Sequence, residues 1–277
     1  MLTLPSADGA RRVPFELSSL PDHSSIDVLT PDIEPPCKWN LKRFQEAFSS
    51  SKSIRMCGVS RLRCRNALCA RCSPKRAREH RRLLKAAIKR STPASALMWT
   101  ATIASTPERP LAEPWSELDA LYRYMVSGNW LGRRVQGYVR CIEIERTEEG
   151  WHVHAHTLLV FENDLSKEEV DNLSCDIKTR YLKKAEALLI AADARGQDVR
   201  VVSIAQLLLA VEYITKSHIG TGRSKTPGTQ TPTMLLQAAS RGDADALTLF
   251  TELENASYRR RRMQTGGMFS NSYKSQK

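Results

Sequence analysis

The sequence predicts an α+β fold in which an antiparallel sheet with flanking helices is preceded by a small Cys-rich module. The main observation is a pair of strand-like runs, residues 137–146 and 151–161, joined by the turn sequence Thr-Glu-Glu-Gly. Helical patterns lie on both sides of this hairpin, so the mixed order favours α+β with an antiparallel sheet. Four closely spaced cysteines near the N-terminus predict the module.

The other elements follow from local patterns along the chain. Residues 1–50 are rich in Pro, Ser and Asp and are expected to form a poorly ordered leader with a short helix over 41–48. Ser166 with Glu169 is a capping box that opens a helix. Apolar spacing and turn residues predict a basic helix over 74–89, a strand over 96–105, a helix over 115–130, a helix over 166–192, a strand over 199–202, a helix over 203–217, a flexible connection over 220–232 and a last helix over 232–256, before a basic tail.

Composition narrows the class of protein. The chain has 277 residues, 41% of them hydrophobic, and a net charge of +12, which suits one or two globular domains. No apolar run approaches the ~18 residues that a membrane span needs, and the N-terminus lacks a secretory signal pattern. Seven cysteines without such a signal argue for reduced thiols or a metal site. We therefore expect a cytoplasmic protein with no membrane partner.

The positive charge is concentrated in one segment. Residues 51–90 contain fourteen Lys or Arg against one acid, Glu79. Such a cluster most often neutralises nucleic-acid phosphates with release of counterions, and a solvated, self-repelling face is the alternative. A second basic run at 259–262 fits phosphate binding and solubility equally well. The residues that we expect to contact DNA are Arg65, Arg71, Lys75, Arg76, Arg78, Arg81 and Arg82.

The four cysteines of the module follow the spacing C-x6-C-x4-C-x2-C: Cys57, Cys64, Cys69 and Cys72. Two thiolates with two residues between them clamp one tetrahedral ion, and two more close a four-thiolate site. Such a site is structural because no position remains open, and Zn²⁺ would fold a segment too polar to fold alone. Cys37 is the reserve ligand in case Cys57 does not bind.

Alternating histidines mark the second strand of the hairpin. Half of the six histidines fall within five residues and would share one face of a strand: His152, His154 and His156. This concentration predicts a metal site. If the turn closes over 147–150, Glu143 opposes His154 and Glu145 opposes His152, whereas a one-residue slip would turn both acids away. Two imidazoles and one carboxylate suit a divalent ion that acts as a Lewis acid on a phosphoryl oxygen.

A tyrosine late in a predicted helix is the candidate nucleophile. Tyr213 and Lys216 are three residues apart and hence neighbours on one face. A phenol with a pKa of ~10 is a poor nucleophile unless a cation or metal lowers that pKa, so Lys216 would help to lower it or would position the phosphate. The same Y-x-x-K pattern occurs at Tyr181, which we expect to be packed in an amphipathic helix.

Six motifs occur in a characteristic order over about residues 55–220: Cys64-Arg-Asn-Ala-Leu-Cys-Ala-Arg-Cys72, Met98-Trp-Thr-Ala-Thr-Ile103, Gly137-Tyr-Val-Arg-Cys-Ile-Glu143, His152-Val-His-Ala-His156, Val199-Arg-Val-Val and Glu212-Tyr-Ile-Thr-Lys216. In this order they resemble the plasmid rolling-circle replication initiators, and most closely the group with an N-terminal Cys-rich module. These initiators belong to the HUH endonucleases, named for histidine, hydrophobe, histidine.

The resemblance implies a domain organisation and a fold. It implies a HUH nuclease domain over 93–220, with an antiparallel sheet that carries the histidines centrally and the nucleophile on a flanking helix. A Cys-rich zinc module with a basic helix would occupy 51–92. A flexible linker, a C-terminal helix and a basic tail would occupy 221–277.

The resemblance also implies roles for individual residues. His154 and His156 would be metal ligands, Tyr213 the nucleophile, and Glu143 rather than Glu145 the carboxylate ligand. His152 falls where relatives often have another residue, so it is an additional candidate ligand only. Some relatives carry a glutamate one turn before the tyrosine, thought to activate water at termination. That position is Leu209 here, and whether the adjacent Glu212 takes over this catalytic role is open.

The implied activity is that of a replication initiator. It would be a metal-dependent, site-specific single-strand endonuclease and strand transferase that nicks one origin strand, forms a 5′-phosphotyrosine and a 3′-hydroxyl primer, and later rejoins the strand. Mg²⁺ or Mn²⁺ would serve catalysis and Zn²⁺ the module. The expected partners are duplex and single-stranded origin DNA, the host replication helicase and polymerase, and, as an open question, a second copy. The alternatives are a HUH transposase or relaxase, a non-catalytic zinc-containing nucleic-acid-binding protein, or a plain metallohydrolase.

Overall fold

Five antiparallel strands form one sheet within the described part of the chain. A computed structural model of the chain describes residues 38–58, 63–127, 130–216 and 227–270. The strands are β1 (Ser95–Thr102), β2 (Gly137–Thr147), β3 (Gly150–Phe161), β4 (Gln197–Val201) and β5 (Met263–Gly267). Their order across the sheet is β4-β1-β3-β2-β5, and every neighbouring pair is antiparallel.

Helices flank this sheet, so the predicted α+β class is confirmed. They are α1 (Lys38–Phe48), α2 (Lys52–Arg55), α3 (Ser73–Ser91), α4 (Ala112–Ser127), α5 (Leu131–Arg134), α6 (Lys167–Ala187), α7 (Leu207–Ile214), α8 (Pro232–Ala239) and α9 (Ala244–Ser257). The predicted capping box opens α6, because Ser166 and Glu169 exchange side chain to backbone hydrogen bonds. None of the helices in the described ranges has both the length and the apolar character needed to cross a bilayer.

Two apolar cores form on opposite faces of the sheet. On one face, buried aromatic side chains of β1 and β3 pack with those of α4 and α6: Trp99, Trp151, Trp115, Tyr122 and Tyr181. On the other face, Leu158 of β3 packs with Leu84 of α3 and Val211 of α7. Because strand side chains alternate between faces, the histidines of β3 lie on the side covered by α3 and α7.

The central hairpin has the predicted register. Glu143 pairs with His154, and the turn closes where β2 ends and β3 begins, at Thr147 and Gly150. Gly150 has φ +109°, and a Cβ there would lie 2.2 Å from the carbonyl oxygen of Thr106. Only glycine fits this turn, so its position fixes which side chains of β2 face the histidines.

The C-terminal part differs most from the predicted elements. The single helix expected over 232–256 is two helices, α8 and α9, separated at Gly242, whose φ is +97°. The run expected to be a basic tail leads into β5, which pairs with β2. The sheet therefore extends beyond residue 220, where the nuclease domain was predicted to end. The predicted helix over 203–217 is also shorter, because 204–206 is a 3-10 turn before α7.

The N-terminal helix supports the Cys-rich segment. Residues 1–37, most of the predicted leader, lie outside the described residues, but the short helix expected over 41–48 is present as α1. The Gln45 side chain donates to the Leu68 carbonyl at 2.8 Å and accepts from the Ala70 N–H at 2.9 Å. Glu254 of α9 accepts hydrogen bonds from Ser49 and Ser50. Part of the predicted leader is thus bonded to the folded core.

Candidate active site and metal-binding groups

Side chains from β2, β3 and α7 converge on one point of the sheet. The Nε2 atoms of His154 and His156 lie 3.2 Å and 3.1 Å from the same carboxylate oxygen of Glu143. The Tyr213 hydroxyl lies 3.2 Å from His156 Nε2. Lys216 pairs with the other Glu143 oxygen and lies 4.8 Å from the centre of the Tyr213 ring. The predicted nucleophile and the predicted metal ligands therefore meet in space.

Thr100 of β1 contacts the far side of His156. Its Oγ1 lies 3.0 Å from His156 Nδ1, and the two residues are paired across the strands. If the hydroxyl accepts the Nδ1–H, the lone pair at Nε2 is left for an ion or for the Tyr213 proton. The motif Met98-Trp-Thr-Ala-Thr-Ile103 contributes to the site through this contact.

The carboxylate of Glu143 stays ionised within this group. Burial by itself would raise its pKa, but hydrogen bonds from His154 and His156 and the charge of Lys216 hold the pKa well below its ordinary value. Burial lowers the pKa of His156, which favours the neutral imidazole. An ionised carboxylate and a neutral imidazole with a free lone pair at Nε2 are the forms in which Glu143 and His156 would bind a divalent metal.

The surroundings of Tyr213 favour the protonated form of its phenol. Burial raises its pKa, and the negative charges of Glu143 and Glu145 raise it further. The Lys216 ammonium pairs with Glu143, and its part in lowering the Tyr213 pKa or in positioning a phosphate stays a prediction. Deprotonation of the phenol needs an acceptor or an added cation.

Three of the four predicted metal ligands form a compact group. Glu143, His154 and His156 each offer one ligand atom within 4.8 Å of the others. This donor set, one carboxylate and two imidazoles, fits a divalent ion with open positions. His152 lies outside this group: its ring is 4.9 Å from that of His154, and burial lowers its pKa to about 4. Its additional role as a ligand stays a prediction.

Glu212, the third predicted catalytic residue, turns towards a different partner. Its carboxylate pairs with Lys85 of the basic helix α3. The neighbouring Arg81 donates from Nε to the Thr215 hydroxyl at 3.3 Å. Two side chains of α3 thus hold the helix that carries Tyr213. Leu209, where some relatives have glutamate, is 43% exposed.

The four cysteines also come together. Cys57, Cys64, Cys69 and Cys72 each place a sulfur within 4.8 Å of the others, and the Sγ atoms of Cys57 and Cys72 are 3.5 Å apart. The hydrogen bond from Cys64 lowers the pKa of Cys69 to about 5, because a donated hydrogen bond stabilises the thiolate. These donors could hold a metal ion of the kind that four thiolates bind. Cys37, the reserve ligand, lies outside the described residues.

The predicted DNA-contacting residues lie around this cysteine group and on α3. Arg81 is half-buried against Thr215, and the other six are exposed: Arg65, Arg71, Lys75, Arg76, Arg78 and Arg82. Arg76 also donates to the Arg65 carbonyl at 2.6 Å, which ties the module to the helix. Positive charge therefore covers the surface next to the helix of Tyr213.

One charged residue near the site was not recognised from sequence. Arg262, in the run expected to be a basic tail, is 5% exposed and lies where β5 joins β2, because the Ile142 N–H donates to its carbonyl at 2.7 Å. The fields of Cys141 and Glu143 act on its guanidinium. The only sequence signal was the basic run itself, which carries no information on burial.

Comparison with known proteins identifies the family. The model of the Rep_1 family, described as "Replication protein", matches residues 59–277, which is more than half of the chain. The match contains the hairpin, α7 and three of the four cysteines, and it begins just after Cys57. Searches of curated proteins and of solved structures found no match. The chain belongs to the Rep_1 family of replication proteins.

Proposed function

We propose that this protein initiates rolling-circle replication of a plasmid by nicking one strand of the origin with Tyr213. The observation that supports the proposal most is the 3.2 Å approach of the Tyr213 hydroxyl to His156, within the Glu143, His154 and His156 group. A phenol beside a metal-binding group is the constellation that transesterification at a phosphodiester needs. The HUH endonuclease class is part of this proposal.

Each element of the site has a part in binding and orienting the DNA. The basic residues of the module and α3 hold the backbone of the origin through its phosphates. The scissile strand enters unpaired, and Lys216, freed from Glu143, contacts its phosphate. Glu143, His154 and His156 would hold a Mg²⁺ or Mn²⁺ ion, which polarises the phosphate when bound. Thr100 keeps the His156 ring in place.

The chemical step conserves the phosphodiester energy. The Tyr213 oxygen bonds to phosphorus, and the bond from phosphorus to the 3′ oxygen breaks. The phenol gives up one proton and the leaving 3′ oxygen takes one up, so the products are a 5′-phosphotyrosine and a 3′-hydroxyl. Attack by a 3′-hydroxyl on the phosphotyrosine then reverses the step and rejoins the strand.

The proposal extends to the partners of this reaction. The 3′-hydroxyl primes a host polymerase in the cytoplasm, and a host helicase separates the strands ahead of it. The four thiolates would hold a structural Zn²⁺, which would stabilise the module where it is bonded to α1. The number of protein chains bound at one nicked origin would show whether two copies act together.

A nicking assay tests the proposed function. Supercoiled DNA that carries the coding region with its flanking sequence is incubated with the full-length protein and Mg²⁺ or Mn²⁺. We expect a nick in one strand only, protein covalently attached to the 5′ end through Tyr213, and DNA synthesis from the 3′ end by an added polymerase. A free 5′-phosphate would instead favour a metallohydrolase. Binding without cleavage would favour a non-catalytic zinc protein. A nick away from a replication origin would favour a transposase or relaxase.

We expect Glu212→Gln to leave nicking almost unchanged. The Glu212 carboxylate pairs with Lys85, and both side chains are partly exposed. Breaking such a pair costs about 0–1 kcal/mol, so the nicking rate should change by less than about fivefold. Nicking and rejoining are measured together in the plasmid assay. A hundredfold loss of nicking would contradict this, and a loss of rejoining alone would assign Glu212 to termination.

A further inference from the structure

A cationic cleft opens beside the candidate active site. It has a volume of about 370 Å³ and lies between the Cys-rich segment, α3, the end of α7 and the stretch that leads into β5. Arg65, Arg76, Lys216 and the four arginines at 259–262 line it, and its described lining contains no Asp or Glu. Seven cations around a volume typical of small-ligand pockets indicate an anionic ligand.

Arg262 is the most buried of these cations, and no carboxylate of the described residues lies within salt-bridge distance of it. Its side chain is 5% exposed, and none of its three guanidinium nitrogens has a hydrogen-bond partner among the described residues. Burial lowers its pKa to about 10, although Cys141 and Glu143 partly oppose that effect. A buried guanidinium without a partner is costly, and an anion in the cleft would supply the missing hydrogen bonds.

The cleft is continuous with the candidate active site through two residues. Lys216 lines the cleft and also pairs with Glu143 and covers the Tyr213 ring. Cys141 lines the cleft and pairs across the strands with His156. An anion in the cleft therefore lies beside the point where the scissile phosphate would be attacked.

We propose that this cleft binds a phosphate of single-stranded DNA next to the scissile phosphodiester, and that Arg262 is the residue that holds it. Guanidinium forks match phosphate oxygens geometrically. The proposal rests on the proposed function for the position of the scissile bond. It does not depend on the chemistry at Tyr213.

An aromatic ring at the cleft fits the base that belongs to such a phosphate. Tyr258 lines the cleft and is 68% exposed, with the Arg259 guanidinium 5.2 Å from its ring centre. An exposed ring beside a basic groove is the platform on which unpaired bases stack. A duplex would keep its bases stacked on each other, so this ring favours a single strand as the ligand.

Binding of a fluorescein-labelled (dT)12 strand tests the proposal. The full-length, zinc-loaded protein is used without added Mg²⁺ or Mn²⁺, and anisotropy is followed over a range of salt concentrations. For Arg262→Gln we expect about tenfold weaker binding at low salt and a salt slope reduced by about 0.7, the value for one lost phosphate contact on a single strand. Tyr258→Ser should weaken binding at least about fivefold. Arg241→Gln, a matched exposed arginine on the turn between α8 and α9, should change neither quantity.

Two other substitutions in the cleft and a free nucleotide complete the test. If Arg262→Gln does not fold, as judged by circular dichroism, the exposed Arg261→Gln and Tyr258→Ser carry the test. The proposal is overturned if the (dT)12 affinities of Arg261→Gln and Tyr258→Ser both equal that of Arg241→Gln. It is also overturned if the substitutions weaken binding of free dTTP but not of (dT)12, because the cleft would then be a free-nucleotide site. If the native protein nicks the plasmid but the variants bind (dT)12 as it does, the cleft proposal alone is rejected. If the variants bind (dT)12 more weakly but the native protein does not nick the plasmid, the nuclease proposal alone is rejected.

Discussion

Tyr213→Phe is expected to lower the nicking rate by at least about a thousandfold and to remove the covalent DNA product. The substitution deletes only the oxygen that would bond to phosphorus. The ring remains beside His156, with centroids 5.1 Å apart in the native protein, and the lost 3.2 Å contact is worth about 1 kcal/mol of stability. The variant should therefore fold and bind DNA as the native protein does. Gel analysis of nicked plasmid, with and without protease, measures both products.

Tyr181→Phe is the matched control for that substitution. Tyr181 has the same Y-x-x-K pattern but is fully buried, edge-on to Trp99 at 5.8 Å. Its hydroxyl has no hydrogen-bond partner in the part of the chain that the structure describes, so its removal leaves the packing intact. We expect native nicking from Tyr181→Phe. Covalent 5′ attachment that survived in Tyr213→Phe would move the nucleophile to another residue.

Cys69→Ser is expected to remove one bound zinc per chain and to unfold the Cys-rich module. Cys69 is fully buried, and its sulfur lies within 4.8 Å of the other three. Structural zinc contributes about 10–16 kcal/mol in isolated zinc-finger peptides, far more than a small polar segment can replace. DNA affinity should fall with the module, because the exposed arginines around it lose their positions. Native mass spectrometry counts the zinc, and anisotropy measures the affinity.

Cys175→Ser serves as the control for the loss of a thiol. Cys175 is exposed on α6 and is remote from the four-cysteine group in sequence. This variant should retain the zinc content and the DNA affinity of the native protein. Undiminished zinc in Cys69→Ser, with Cys175→Ser behaving as native, would show that the metal is held elsewhere.

The hairpin and its site were predictable because local features determine them. The turn at 147–150 sets the register, the register sets which residues oppose each other, and so Glu143 was placed opposite His154 from sequence alone. The pairing of Tyr213 with His156 was not available from local patterns. It came from the resemblance to rolling-circle initiators, because a helix and a strand that are far apart in sequence carry no mutual signal.

The features that the sequence did not predict depend mostly on contacts between distant segments, and in one case on a signal of only two residues. The five residues of β5 include two glycines, which disfavour a strand, and β5 exists because it pairs with β2. The Lys85–Glu212 pair and the burial of Arg262 likewise join distant segments. The break between α8 and α9 did have a local signal. Gly242 takes a left-handed φ, and Asp243 caps α9 by accepting from the Ala246 N–H at 2.9 Å.

The position of β5 at the sheet edge has a consequence for biosynthesis. The ribosome delivers β1 to β4 well before residue 267 emerges, and until then β2 presents an uncovered row of backbone donors and acceptors. Nascent or prematurely terminated chains would therefore be open to strand exchange with one another. Such chains would also contain the histidines and the tyrosine without Arg262. If Arg262 and Tyr213 have the roles proposed above, the ability to nick DNA would arise only once β5 has closed this edge of the sheet.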